Sequence, residues 1–507
     1  MPQGVIMIKK YFTFSILFCL SVFVSAQSIE DKLLNRFSKY VNIYTQSEED
    51  VDKVPSTDCQ FDLAFALRDE LISLGLDERN VRVDGHSYLY ATIRGNVQDA
   101  PVLFLSAHLD TTPEKDLCGR VPTINVHDYQ GGDLQINDKL ILTPETDQTL
   151  AAGVGSKVIT SDGTTLLGAD DKAGIAIVMT VVETLLENPN IPHGDIRIIF
   201  TPDEEIGNST RYLTRENIGA DFGLVVDSHG FGRLLVGNFN ATDFTFFVRG
   251  LSSGHSGYNS IPSPYRIGAN FIANFPRERA AYNSRGMEGY IDHHKQIFTE
   301  NTYTVKGRLR SFDLYGELKD YKDSVLQWAS DVAQEAMEKY REKNEELKFI
   351  TIINGEASGE YTDDDYVIIL TMNDSYFNAK YVLEKYPTNF NLLQEAYNIA
   401  GVEMHPESGR GGSDAGDITY LGIPTYNLFD GSDNEHDYKE YVVLDGMAAS
   451  YNVIVEYIQL LARQDRVTML REGNPRYNPA IPNIEMKRIE RIQQELLQNY
   501  GNTLINR

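Results

Sequence analysis

The sequence predicts an α/β protein: a mainly parallel-sheet catalytic domain interrupted by a smaller α+β lid. Three observations lead there. Short apolar runs at Pro101 to Ala107, Ile196 to Phe200 and Phe222 to Val226 have the composition of strands buried on both faces. Each is followed within a few residues by side chains able to bind a metal, namely His108, the run Asp203-Glu204-Glu205, and Asp227. A helical pattern runs between the first two, as in open sheets whose chemistry lies beyond the carboxyl ends of the strands, and the rhythm breaks after Asp227 and resumes at Leu392.

The N-terminus stands apart from this pattern. Lys9 and Lys10 precede an apolar run from Phe12 to Val24, and Val24-Ser25-Ala26 supplies the small residues read by a signal peptidase. The run is short for a membrane span and polar Gln27 to Lys32 follows, so residues 1–26 read as a cleavable signal peptide rather than an anchor. A secreted or periplasmic chain with no integral membrane segment after cleavage is expected. Its 507 residues suggest two domains plus extras, and 42 % hydrophobic with 23 % charged residues is a globular composition. The formal charge of -27 becomes -29 once the two leader lysines are gone, which argues against nucleic acid as a partner. Cys19 leaves with the leader; Cys59 and Cys118 either form one disulfide or stay free.

Helical patterns cover Ser28 to about Leu76, and Asp84 to Asn96 reads as strand and turn. Ile175 to Leu186 is a helix opened by Gly168-Ala169-Asp170-Asp171-Lys172-Ala173-Gly174 and stopped at Asn188-Pro189. Its two acids sit where a helix dipole favours negative charge, either as plain caps or as ligands. Past Asp227, strands are expected at Asp243 to Gly250, Tyr303 to Phe312, Phe349 to Ile353 and Val367 to Met372, with helices at Ile267 to Phe275 and Tyr321 to Lys343. Glu360 to Tyr366 reads as an exposed turn. A helix to Ala400, a strand from Pro424 to Phe429, a polar loop to His436 and a helix from Leu444 to Arg463 close the α/β part. The division expected is a catalytic domain over 27–239 and 378–465, a lid over 240–377, and a helical tail over 466–507.

His108, Asp110, Asp170, Glu204, Glu205, Asp227 and His436 make two imidazoles and several carboxylates without a thiolate, a set suited to hard or borderline divalent metals. Two metals about 3.5 to 4 Å apart need one bridging carboxylate and further ligands for each. The inventory fits if one takes His108, Asp170 and Asp227 while the other takes Asp170, Glu205 and His436. Asp110 then holds the second ring nitrogen of His108, and Glu204 is left to deprotonate a metal-bound water.

Four stretches resemble a known family: His108-Leu109-Asp110-Thr111, Leu166 to Gly174, Phe200-Thr201-Pro202-Asp203-Glu204-Glu205-Ile206-Gly207, and Arg410-Gly411-Gly412-Ser413-Asp414. They look like the motifs of the peptidase T branch, the tripeptide aminopeptidases, of the co-catalytic dizinc peptidases and deacylases, and the likeness covers about residues 80 to 465. It implies two divalent ions, zinc by preference, bridged by Asp170 and bound by His108, Glu205, Asp227 and His436, with Glu204 as general base supported by Asp110. It also implies that His255 steadies the oxyanion, and that Arg310 and Arg410 grip the substrate carboxylate. Asn378, near the second hinge, joins them in the substrate-binding set. Short peptides are the expected partners, and a homodimer is admitted.

The departures are specific. His255-Ser256-Gly257 stands where the family has His-Pro-Gly, Ala415 replaces an expected glycine, Glu356 to Asp364 looks inserted, and the family's usual enzyme carries no leader. Removal of the N-terminal residue from short peptides is therefore the leading expectation. A dizinc deacylase of N-acyl amino acids is the neighbouring alternative, and a non-catalytic peptide-binding protein is the alternative of another class.

Overall fold

The computed structural model describes residues 27–114, 119–250, 263–299, 301–341, 349–353, 355–359 and 365–473. The leader, Cys118, His255 and the tail beyond Gly473 lie outside them. Among the described residues Cys59 has no disulfide partner, and its Sγ lies 3.2 Å from Thr57 Oγ1. Among the described residues no helix is long and apolar enough to cross a membrane.

The central sheet has eight strands in the order Val81–Val83, Leu89–Ile93, Ile196–Thr201, Leu103–His108, Phe222–Ser228, Thr425–Phe429, Arg233–Asn238 and His405–Gly409. The three apolar runs with metal-binding side chains at their ends are its parallel heart, and Thr425–Phe429 joins them in parallel. Antiparallel partners flank this heart at Leu89–Ile93 and Arg233–Asn238, so the sheet is mixed at its margins. Alternation along each strand serves two layers. Leu103, Leu105, Leu224 and Val226 face the helices Ile29–Val41, Ala169–Glu187 and Leu444–Leu461, while Phe104, Ile199 and Val225 face Ile418 on the short helix Asp414–Tyr420.

The fit of the helix from Ala169 to Glu187 on the sheet depends on Gly174. A Cβ there would come within 1.9 Å of the Val226 carbonyl oxygen and 2.3 Å of Asp171 Oδ1. Gly174→Ala is therefore expected to destabilise the protein by about 3 kcal/mol, a typical overpacking cost, read as a lower urea midpoint. Unchanged stability would contradict this packing.

The lid is a second sheet with its own core. Its six strands run Tyr290–Phe298, Thr302–Ser311, Asn240–Arg249, Tyr366–Tyr376, Phe349–Ile353 and Glu356–Ala357. Helices Pro264–Ile272 and Glu317–Arg341 cover one face, where the Phe246 ring stacks on Phe271 at 4.0 Å. Two differences from the sequence reading have clear causes. Tyr290–Phe298 is an edge strand whose outer half is exposed, so its polar Asp292-His293-His294-Lys295 centre carries no apolar signal. Tyr366 is fully buried and begins a strand, rather than ending an exposed turn, because its ring packs into the lid core; residues 360–364 lie outside the described set.

A small four-stranded sheet also went unread: Ser432–Asp433, Tyr441–Val443, Lys157–Ser161 and Ile124–Asp128. It supports the loop that carries His436. Three asparagines clamp the two crossings into the lid. Asn238 Oδ1 accepts from Ala379 N at 2.9 Å, Asn240 Oδ1 from Asn378 N at 2.9 Å, and Asn378 Oδ1 from Asn238 N at 3.1 Å.

Candidate active site and metal centre

The seven residues named at strand ends and loops converge above the carboxyl end of the parallel strands. His108 closes its strand, and its Nε2 lies 2.8 Å from Asp170 Oδ1 and 3.6 Å from Asp227 Oδ1. His436 Nε2 lies 2.8 Å from Glu205 Oε2 and 3.3 Å from Asp170 Oδ2. Two donor groups result, His108 with Asp170 and Asp227, and Asp170 with Glu205 and His436, each with ligand atoms within 4.8 Å of one another. Asp170 is common to both and faces them with different oxygens.

Backbone geometry aims these groups. Asp170 (φ -78°, ψ 102°) and Asp171 (φ -121°, ψ 38°) are not helical, so the regular helix begins after them rather than at them. Asp171 is the capping residue, since its Oδ1 accepts from Gly174 N at 3.1 Å while Oδ2 accepts from His108 N at 3.0 Å. The helix start therefore holds Asp171 directly, and Asp170 is left to point into the site. Asp203 and His436 both adopt left-handed backbone, with φ of 56° and 61°, a conformation that persists where surrounding contacts impose it. For Asp203 those contacts are Ser56 N at 2.7 Å, Ser56 Oγ at 2.6 Å and Gln60 Nε2 at 2.6 Å.

Asp110 is fully buried and holds the turn of the general-base candidate. Its Oδ1 accepts from Glu204 N at 2.9 Å and its Oδ2 from Glu205 N at 3.3 Å. Oδ1 also lies 3.3 Å from His108 Nδ1, close but not aligned as a hydrogen bond. Asp414 grips the same turn from the other side through Thr201 Oγ1 at 2.8 Å and through Ser209 Oγ. Glu204 belongs to neither donor group.

The electrostatics call for cations. Hydrogen bonds to Asp170 and Glu205 raise the His436 imidazole to about 11. Burial, helped by the Asp170 charge, lifts Glu205 to about 7, and burial lifts Asp227 to about 6 against the hydrogen bond from His108. Burial also opposes ionisation of Asp170, but hydrogen bonds from His108 and His436 outweigh it and hold that carboxyl below its usual range. Burial and the charge of Asp227 push Glu204 well above the carboxylate range. Among the described residues Glu205 Oε1 is buried without a hydrogen-bond partner. A crowded carboxylate cluster with an orphaned oxygen and two imidazoles fits two divalent metal ions, which would supply the missing charge and the missing partner.

The expected substrate-binding residues lie around the hinge. Arg310 is buried in the lid sheet, donating to Thr242 O at 3.3 Å, Leu309 O at 3.0 Å and Asp243 Oδ1 at 3.0 Å. Arg410 reaches from the catalytic side to the lid loop, donating to Gly286 O at 2.6 Å and Glu288 O at 3.0 Å, with its guanidinium over the Phe239 ring. Asn378 is buried, and its side-chain oxygen also accepts from Lys380 N at 3.0 Å.

Glu440 escaped the sequence reading altogether. Its buried carboxylate accepts three backbone N–H groups of the loop that carries Asp170. Its one available signal is its place four residues after His436 in a loop already suspected of binding metal. Asp203 and Asp414 were visible inside quoted motifs, but nothing in the sequence shows which groups they hold.

Residues 160–460 match the model of peptidase family M20/M25/M40. Peptidase T of Geobacillus thermodenitrificans is 33 % identical over 441 residues, 86 % of this chain and 100 % of that protein. Two solved structures share the fold at TM-score 0.59, each over 86 % of this chain and 99 % of its own. One is aminopeptidase PepT from Bacillus cereus, 21 % identical, and the other is a tripeptidase from Staphylococcus aureus, 23 % identical.

Proposed function

The chain belongs to peptidase family M20/M25/M40, and on that footing we propose that it is a metallo-aminopeptidase that removes the N-terminal residue from short peptides. One observation carries this reading: two donor groups meet at Asp170, and Glu204, the chain neighbour of the donor Glu205, belongs to neither. His108, Asp170 and Asp227 would hold one ion, and Asp170, Glu205 and His436 the other, with zinc the natural choice for imidazole and carboxylate donors. When bound, the ions polarise the scissile carbonyl and ease deprotonation of the attacking water.

The protein's own groups manage the protons and the pose. Glu204 takes a proton from the water as its oxygen adds to the carbonyl carbon. It then returns that proton to the nitrogen that leaves as the C–N bond breaks. Asp110 keeps Glu204 in place through its backbone N–H. His255 is proposed as the oxyanion donor, and Arg310, Arg410 and Asn378 as the substrate-binding set. For Arg410 this means exchanging the lid carbonyls of Gly286 and Glu288 for the substrate carboxylate. Work outside the cytoplasm is proposed from the Lys9 to Ala26 pattern alone.

The test is a panel of tripeptides, dipeptides and N-acyl amino acids presented to the zinc-loaded protein. Tripeptides with a free amine are expected to lose their first residue at rates at least tenfold above the others. Turnover confined to N-acyl amino acids would assign a deacylase instead, and binding without turnover a peptide-binding protein.

A further inference from the structure

We propose that Glu440 is the positioning residue that makes Asp170 a bridge, acting through the backbone rather than on substrate or metal. Glu440 is 2 % exposed. Its Oε2 accepts from Leu167 N at 2.7 Å and Gly168 N at 2.8 Å, and its Oε1 accepts from Asp170 N at 3.1 Å. Gly168 has φ 74°, which no β-carbon-bearing residue adopts readily. The loop thus folds around a single carboxylate. Charge-assisted acceptance of several N–H groups is among the stronger kinds of hydrogen bond, and buried N–H groups left unpaired are costly.

The placement of this carboxylate separates it from an ordinary loop filler. Glu440 N donates to Asp437 O at 2.9 Å, closing the turn after His436. The residues that follow, Tyr441–Val443, are locked antiparallel to Lys157–Ser161. One short segment therefore carries a donor of the second group, His436, and the anchor of the shared donor, Asp170. The first group's other donors are held by groups that Glu440 does not bond: Asp171, pinned to the helix start by Gly174 N, holds His108 N through Oδ2, and Asn427 Oδ1 holds Asp227 N at 3.1 Å. In the second group Asp110 holds Glu205 N, while His436 shares the segment of Glu440. Disturbing Glu440 should accordingly weaken the two metal positions unequally, the one that includes His436 and Glu205 more.

The role rests on the two-metal reading, and the experiment separates the two. Zinc binding to wild-type protein and to Glu440→Gln is measured by competition with a chromophoric chelator, alongside urea unfolding of both proteins stripped of metal. Glutamine keeps the shape but turns an NH2 donor toward N–H donors. In E440Q one ion should stay near wild-type affinity while the other weakens ten- to a hundred-fold, the range seen when partners of metal ligands are removed. The metal-free unfolding midpoint should fall modestly, because the loop loses an acceptor for a buried N–H group, while the protein still folds. At zinc concentrations that refill the weaker position, kcat should return toward wild type with KM unchanged. Wild-type affinities for both ions in E440Q, or equal weakening of both, would overturn the positioning role. If E440Q does not fold, Glu440→Asp, which keeps the charge but falls one methylene short of the three donors, should show the same unequal weakening; wild-type affinities in E440D would overturn the role as well. Failure of the wild type to bind two zinc ions would instead remove the metal reading itself.

Discussion

Glu204→Ala is expected to lower kcat by about 10²- to 10⁴-fold, the usual contribution of a positioned general base, while two metal ions stay bound. The separation follows from geometry. Both donor groups are complete without Glu204, and the turn that carries it is held through backbone contacts that alanine preserves. Those contacts are Asp110 on the N–H groups of residues 204 and 205, and Ser56 with Gln60 on Asp203. KM should move little, because the lost interaction develops as the water gives up its proton. Glu204→Gln, which preserves shape and removes basicity, should be nearly as slow. Peptide turnover and metal analysis on the same preparation check this. Activity within tenfold of wild type would remove Glu204 as the base, and loss of metal would make it a ligand.

Much of the site was legible in the sequence because its donors follow strands. A parallel sheet buried on both faces leaves an apolar run in the chain, and the residue just past that run must stand at the sheet's carboxyl edge. His108 and Asp227 were found that way, and Glu204 and Glu205 by the same logic one turn later. His436 lies far downstream in a polar loop; it enters only through the inventory of metal-binding side chains and the family resemblance. Glu440 could not be found, because a carboxylate that binds backbone N–H groups imposes no residue type on its partners. The edge strand Tyr290–Phe298 was lost for a related reason: half of it faces solvent, so its periodicity is polar. A Tyr beside several aspartates has a turn-like composition and reads as exposed, whereas the fold buries the Tyr366 ring in the lid core, on the strand face it shares with Ile368 and Leu370. The acids of Gly168 to Gly174 were read at the right place with their duties only half resolved, since composition does not tell which of two adjacent carboxylates caps the helix.

That division of duties is tested by Asp170→Asn, the second variant with a large expected effect. Asparagine has nearly the size of aspartate, so the loop from Leu167 to Asp171 should keep its hydrogen bonds to Glu440 through the backbone. The bridge is lost all the same. One of its two ligand atoms becomes an NH2 that cannot ligate, and the negative charge shared by both donor groups disappears, although Oδ1 faces His108 and Oδ2 faces His436. Zinc content is expected to fall from two ions to at most one, weakly held, and peptide turnover to background. A stability measurement distinguishes this from misfolding. A ligand that binds only the folded state stabilises it by about 2.7 kcal/mol at a hundred times its Kd. Saturating zinc should therefore raise the urea midpoint of the wild type clearly and that of D170N far less, while the two metal-free proteins unfold alike. E204A, by contrast, should keep the full zinc-dependent shift with turnover gone. If D170N bound two ions and gained the same shift, Asp170 would be a cap like its neighbour Asp171, and the two donor groups would have no common member.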